Sequence, residues 1–283
     1  MADSDDSQSL ERKSVLPIPI DEVPDGSRLP KPEHGGYAAT SERVPCKECP
    51  LLGCRGLSAP DEGQRGWIES FKSSEARFVR GEEVLRQGAR ATRLYTLLEG
   101  VLIRYRLLED GRRQIVNFLF PGDLVGLQAA FDAELTHSVE AMTDARLCVF
   151  PRDRFFDLAV SHPKLSFDLT WMAAREEAAL EDHLVSLGQR NAQERLAYLA
   201  VFLVQRGAAT GIAREGMLRL TVTQSQIADM LGLSLVHTNR SLQALRRLGL
   251  VDWTLSTIAV PDIEAARSFA QMDGDPYIPR PYI

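Results

Sequence analysis

Long apolar runs are missing from this 283-residue chain. The densest, Leu196 to Val204, falls far short of the roughly 20 residues a helix needs to cross a bilayer, so no membrane partner is expected. A basic and apolar leader is missing too. The chain opens Met1-Ala2-Asp3-Ser4-Asp5-Asp6, which sets the expectation of a cytoplasmic protein with reduced thiols. Histidines number five, and only His137 falls between Trp67 and Phe156. With no paired-histidine motif there, a metalloenzyme site of the kind small β-barrels carry is not expected. Composition is that of an ordinary globular protein, 44% hydrophobic and 25% charged, so no disulfide staple is needed.

Cysteines are also few, four in all, and their arrangement is informative. Cys46, Cys49 and Cys54 form C-x2-C-x4-C, and Cys148 stands alone far downstream. Under reducing conditions such a cluster with one distant partner points to a four-thiolate site, which suits zinc or an iron–sulfur cluster. Cys148 sits in a strand-like stretch, Ala145-Arg146-Leu147-Cys148-Val149-Phe150. Its spacing alone leaves open that it is a small buried hydrophobe.

Net charge is −6, but it is unevenly placed. Residues 1–40 hold four basic and eight acidic side chains, whereas residues 190–255 hold eight arginines against four acids. The C-terminal third therefore carries the basic field that attraction to phosphate requires. Residues 1–40, rich in Asp, Ser, Pro and Gly without apolar periodicity, read as a disordered segment. Residues 41–162 read as a cysteine-bearing segment followed by a β domain: short alternating runs are broken by Gly88, Glu99-Gly100, Asp110-Gly111 and Pro121-Gly122-Asp123, the pattern of a sandwich or jelly roll. In Ile103-Arg104-Tyr105-Arg106-Leu107 the apolar residues share one face and the arginines the other, toward solvent, ahead of a hairpin at Asp110-Gly111.

After Pro163 the language becomes helical. Residues 163–189 read as one long helix, ending near Gly188, with a stripe of Leu169, Ala173, Leu180, Leu184 and Leu187 close to the spacing of a two-helix seam and interrupted by Glu176. Residues 190–265 begin with a core helix from about Ala192 to Gln205. Thr223 and Gln226 then make a capping box, Gly232 a tight turn, and Ser234 an N-cap for a helix closed by Gly249. This is a helix-turn-helix, with Ile227, Leu231, Leu242, Leu245 and Leu248 packing the pair. The second helix offers Ser234, Val236, His237, Asn239, Arg240 and Gln243 on its outer face, where Arg pairs with guanine and Asn with adenine. Gln224, Ser225, Arg246 and Arg247 are placed for phosphates, Thr223 is counted with the DNA-binding residues, and residues 266–283 are left as a tail.

Together these parts resemble the Crp/Fnr superfamily of bacterial transcription regulators over about residues 65–260. The resemblance is carried by Leu94-Tyr95-Thr96-Leu97-Leu98-Glu99-Gly100, by Asp110-Gly111-Arg112-Arg113-Gln114-Ile115 and by Phe120-Pro121-Gly122-Asp123-Leu124-Val125-Gly126. In the C-terminal third it is carried by Gln226 to Ser234, Asn239-Arg240 and Leu248-Gly249-Leu250. It implies an α+β protein: a cyclic-nucleotide-binding-like jelly-roll β-barrel, a dimerisation helix and a C-terminal winged helix-turn-helix. The partners implied are double-stranded promoter DNA, a second copy of the chain as homodimer, and RNA polymerase.

The Gly-Glu and Arg-Ser pairs of the cyclic-nucleotide branch are replaced by Gly126-Leu127-Gln128-Ala129 and Leu135-Thr136-His137-Ser138, so the resemblance does not imply cyclic AMP. Cys46, Cys49, Cys54 and Cys148 look like the four ligands of the oxygen-sensing branch, which implies one [4Fe–4S] cluster per subunit. A regulator of the same fold with a small effector in its barrel is the alternative. One departure stands out: Fnr-type recognition helices carry Glu four residues before the Arg and often Ser directly before it, and here those positions are Val236 and Asn239. The half-site therefore need not be that of Fnr.

Overall fold

Apolar alternation between Ser74 and Pro151 resolves into two facing antiparallel sheets. The structure, a computed structural model, describes residues 38–40, 43–131, 134–272 and 279–283. The chain enters through β1 (Ala38–Thr40), two 3-10 turns over Cys46–Glu48 and Pro50–Gly53, β2 (Leu57–Ser58) and α1 (Glu62–Phe71). Eight strands follow: β3 (Ser74–Phe78), β4 (Glu83–Leu85), β5 (Arg93–Glu99), β6 (Leu102–Leu107), β7 (Arg113–Leu119), β8 (Leu124–Val125), β9 (Ser138–Ala141) and β10 (Ala145–Pro151). One sheet runs β1-β3-β10-β5-β8 and the other β4-β9-β6-β7. Phe78, Leu97, Leu102, Leu119, Val139 and Leu147 fill the space between them. The disordered segment expected over residues 1–40 lies outside the described residues, except that Ala38–Thr40 pairs with β3 as a strand.

Helices α2 (Phe155–Ser161), α3 (Pro163–Gln189) and α4 (Ala192–Ala209) lead out of the barrel. Helix α3 ends at Gln189, beside Gly188 as expected, because Arg190 is extended and Asn191 caps α4 with a full capping box. Helix α4 extends past Gln205 to Ala209 and is buried along most of its length. Strands β11 (Ala213–Arg214) and β12 (Met217–Leu218) come next, then α5 (Gln224–Leu231), α6 (Leu235–Arg247), β13 (Asp252–Trp253), β14 (Ile258–Ala259) and α7 (Ile263–Phe269). The four short strands form one sheet in the order β11-β12-β14-β13, the wing beside the helix-turn-helix. Helix α7 straddles the boundary expected at residue 265, since Ala266 and Ala270 are buried in the same apolar cluster as α4. A last strand, β15 (Arg280–Pro281), pairs in parallel with β2.

Ile103 and Tyr105 share one buried face, as expected: they join Ile115 and Phe118 in one cluster with Leu196 and Ile227, so α4 and α5 cover the outer surface of the β6–β7 sheet. Arg106 is exposed as expected, but Arg104 does not face solvent, because its guanidinium is paired with Glu176 on α3, and Leu107 is exposed rather than buried with Ile103 and Tyr105. Among the described residues no helix is long and apolar enough to cross a membrane.

Candidate metal centre and nucleic-acid interface

The C-x2-C-x4-C spacing winds into two successive 3-10 turns. Cys49 N donates to Cys46 O (3.3 Å), Leu52 N to Cys49 O (3.1 Å) and Cys54 N to Leu51 O (3.1 Å), with Pro50 opening the second turn. Leu51 anchors them, fully buried in an apolar cluster with Phe71, Leu98 and Cys148. Cys148 lies in mid-strand on β10, opposite Glu75 of β3 and Thr96 of β5. A cavity of about 20 Å³ is lined by Cys46, Cys49 and Cys148 together with Ile68, Leu98 and Tyr282. Three of the four expected ligands therefore meet. Cys54 departs from that expectation: its Sγ points to the Thr210 carbonyl at 3.4 Å, at the end of α4.

Beneath the thiols lies a buried ionic network. Lys72 pairs with Glu75 and donates to the Val44 carbonyl (3.0 Å), Val44 N donates to Glu75 (3.1 Å), and Arg146 bridges Glu75 (3.3 Å) and Glu99 (2.6 Å). It ties the cysteine segment to β3 and β10. Burial pushes the Cys148 thiol up to about 12, against the pull of the Lys72 ammonium, and burial likewise raises Cys46, Cys49 and Cys54. Buried thiols of this kind stay protonated, so a bound metal would have to displace their protons. The cysteines offer sulfur donors that suit a thiophilic metal or cluster in composition, and Arg65, Tyr282 and Ile283 line the same cavity. Among the described residues, however, no three metal-ligating side chains are already drawn to coordination distance, so loading requires the Cys46–Cys54 turns to shift.

The helix-turn-helix is closed by its own residues. Thr223 Oγ1 accepts from Gln226 N (3.1 Å) and Gln226 Oε1 from Thr223 N (2.8 Å). Gly232 takes the left-handed conformation (φ 62°, ψ 35°) that a side chain would resist, and Ser234 Oγ accepts from His237 N (3.2 Å). Thr238, Ser241 and Leu245 face inward. Ser234, Val236, His237, Arg240 and Gln243 are exposed, Asn239 and Thr223 half-buried, and Gln224 and Ser225 exposed at the start of α5. Among the described residues Arg240 and Arg247 have no hydrogen-bond or ion-pair partner. Two expectations fail here. Arg246 is not free for phosphate, since its Nε donates to Asp252 of β13 (2.8 Å), and Leu248 is exposed rather than packed between the helices.

Helix α3 does not present one uniform seam. Leu169 packs into the cluster beneath the barrel, Leu180 and Leu187 are half-buried, and Ala173 and Leu184 are exposed, as are Phe167 and Val185. Glu176 is not a flaw in that stripe: its carboxylate accepts from Arg104 and from Asn117 Nδ2 (3.0 Å), locking the helix to the barrel. Further contacts hold the DNA-binding half to the barrel. Arg113 Nε donates to Asp229 (2.9 Å), Gln114 Nε2 to the Met230 carbonyl (3.0 Å), and Arg206 to both oxygens of Asp123 (2.8 and 2.7 Å). Burial alone would raise the Asp123 pKa, but the Arg206 and Arg280 guanidiniums outweigh it and hold the carboxyl below its usual range. Between barrel, α3 and α4 lies a cavity of about 860 Å³ lined by Asn117, His137, Tyr198 and Phe202, with Arg104 and Arg206 at its walls each paired to a carboxylate.

Sequence reasoning missed the C-terminal end. Tyr282 and Ile283 are buried against the cysteine turns, and burial followed by the nearby Cys49, Cys54 and Cys46 pushes the Tyr282 phenol up. Only the aromatic and apolar character of Pro281-Tyr282-Ile283 at the end of a polar tail could have signalled it.

Two family models match the chain: a cyclic nucleotide-binding domain over residues 75–162 and a Crp-like helix-turn-helix domain over residues 194–268. A probable transcriptional activator of Rhizobium leguminosarum bv. viciae is 32% identical over 229 residues, covering 81% of this chain and 94% of that protein. The fumarate and nitrate reduction regulatory protein of Yersinia pestis is 26% identical across 90% of this chain and 98% of its own length. Among solved structures, FixK2 from Bradyrhizobium japonicum superposes with a TM-score of 0.62 at 28% identity, covering 69% of this chain and 96% of that one.

Proposed function

Because the chain belongs to the Crp/Fnr family of transcription regulators, we propose that it is a member whose grip on DNA is set by a [4Fe–4S] cluster held by Cys46, Cys49, Cys54 and Cys148. The observation that carries the reading is the shared cavity of Cys46, Cys49 and Cys148, with Cys54 at the end of the same pair of turns. A bound cluster supplies iron–sulfur bonds that oxygen or another oxidant breaks. The chain supplies the coupling. The cysteine turns contact the end of α4 through the Cys54–Thr210 approach and through Gly56 N donating to the Ala209 carbonyl (2.8 Å). A Cβ on Gly56 would sit 2.4 Å from that of Ala209, so the two backbones touch and a shift in the turns is felt by the first helix of the DNA-binding half.

In this reading the regulator works as a homodimer through α3, whose Phe167, Leu184 and Val185 are exposed in the single chain. Paired α6 helices then meet a roughly palindromic promoter site with half-sites about one helical turn apart. Arg240 and Asn239 read base edges, Val236, His237 and Gln243 flank them, and Thr223, Gln224, Ser225, Ser234 and Arg247 approach phosphates. Work at a promoter makes RNA polymerase a partner. The 860 Å³ cavity favours a second reading, a small organic effector bound between barrel and α3.

Anaerobic purification with iron and sulfide assays separates the two. We expect about four irons and four sulfides per chain, and a sharp loss of both when any one of the four cysteines is replaced by Ser. Four single variants that all keep full visible absorbance, or a native chain without iron, would sink the cluster and leave the effector reading.

A further inference from the structure

Tyr282 is 5% exposed, yet among the described residues its hydroxyl has no hydrogen-bond partner. Buried hydroxyls are rarely left that way, and each exception calls for a missing partner. The ring is not there by chance. Arg280 N donates to the Gly56 carbonyl (3.1 Å), Arg280 and Pro281 pair with Leu57 and Ser58, and the Arg280 guanidinium is ion-paired with the buried Asp123. This clamp directs the next residue, Tyr282, into the cavity lined by Cys46, Cys49 and Cys148. A phenol O–H is a donor; Arg65 and Ile283 share the cavity, and the acceptors that the cysteines would bring to it are sulfurs.

We propose that the last residues of the chain form one wall of the cofactor site and that the Tyr282 hydroxyl donates a hydrogen bond to a sulfur of the bound cluster, making Tyr282 a positioning residue. The inference rests on the cluster reading above. Hydrogen bonds to sulfur withdraw electron density and raise the reduction potential of a cluster, and a buried ring restricts the approach of oxygen and water. Tyr282→Phe keeps the ring and removes only the donor.

The test uses the full chain and Tyr282→Phe, each loaded anaerobically with ferrous iron and sulfide. Expected are equal iron and sulfide contents, a lower cluster potential in the variant and several-fold faster bleaching of its visible absorbance in air. Equal contents with unchanged potential and unchanged bleaching would overturn the hydroxyl's role while leaving the cluster reading intact. Absence of iron from both proteins would overturn the cluster reading and this inference with it. Hydrogen exchange of the tail amides gives an independent check: exchange in the loaded chain should be as slow as, or slower than, in the iron-free chain. Faster exchange would mean that loading expels the tail, and the wall would be refuted.

Discussion

The helix-turn-helix and the cysteine site are held together in opposite ways. The start of each helix of the first is closed by residues three positions apart, Thr223 with Gln226 and Ser234 with His237, so its caps are local. The second is assembled from the whole length of the chain: 3-10 turns at Cys46–Gly53, a thiol on β10, an ionic floor from Lys72, Glu75 and Arg146, the end of α4, and the C-terminal Tyr282. A locally closed element moves as a rigid body. A site built from five distant elements responds when any of them shifts, which is what a sensor requires.

The largest effect should come from breaking the long-range side. Asp123→Ala leaves Arg206 and Arg280 facing each other without their buried carboxylate, a loss of about 3–5 kcal/mol by the usual cost of an orphaned buried charge. Urea unfolding should show it, and tail amides should exchange faster, whereas a stability within error of the native chain would mean that the triad does not clamp barrel, α4 and tail. Next comes acid. His183 bonds Tyr198 Oη (2.8 Å) between α3 and α4, and burial, then Arg104, pushes its pKa down to about 4; His137 is lowered to about 4 by burial and by Arg104 and Arg106. Because the folded pKa lies below the unfolded value, this stability is fully present above about pH 6.5 and is lost as pH falls toward 4, by up to about 3 kcal/mol for each imidazole. Stability measured from pH 7.5 to 4.5 should fall accordingly, with a shallower slope in His183→Gln; a flat profile would contradict the burial argument.

On the local side the effect is smaller and more selective. Arg240→Ala should cost about 1–3 kcal/mol of discrimination at one base pair and leave folding stability unchanged. Titrations of a specific and a random duplex at matched salt check this, and equal weakening of both would reduce Arg240 to a phosphate contact.

The same contrast explains what could be read from sequence. Capping boxes, the Gly232 turn and the amphipathic second helix are written in neighbouring residues, and they stand where the pattern put them. The order of barrel, long helix and winged helix-turn-helix follows from periodicity switching at Pro163. Glu176 was illegible, because its partners Arg104 and Asn117 lie more than fifty residues away on another layer. So was Leu169, which reads as seam and packs under the barrel. Arg246 reads as a phosphate ligand until the wing brings Asp252 beside it. Cysteine spacing identifies a thiol cluster but not that Cys54 turns toward Thr210, nor that the last residues of the chain close the site.

In the proposed reading the cysteine site governs association through α3 and hence DNA binding. Sedimentation of the anaerobically loaded protein and of the same preparation after exposure to air, each followed by titration of one specific duplex, tests it directly. We expect the loaded form to be a dimer that binds tightly and the air-exposed form to shift toward monomer with weak binding. Equal association and equal affinity in both states would show that the thiol site, whatever it holds, is not the switch.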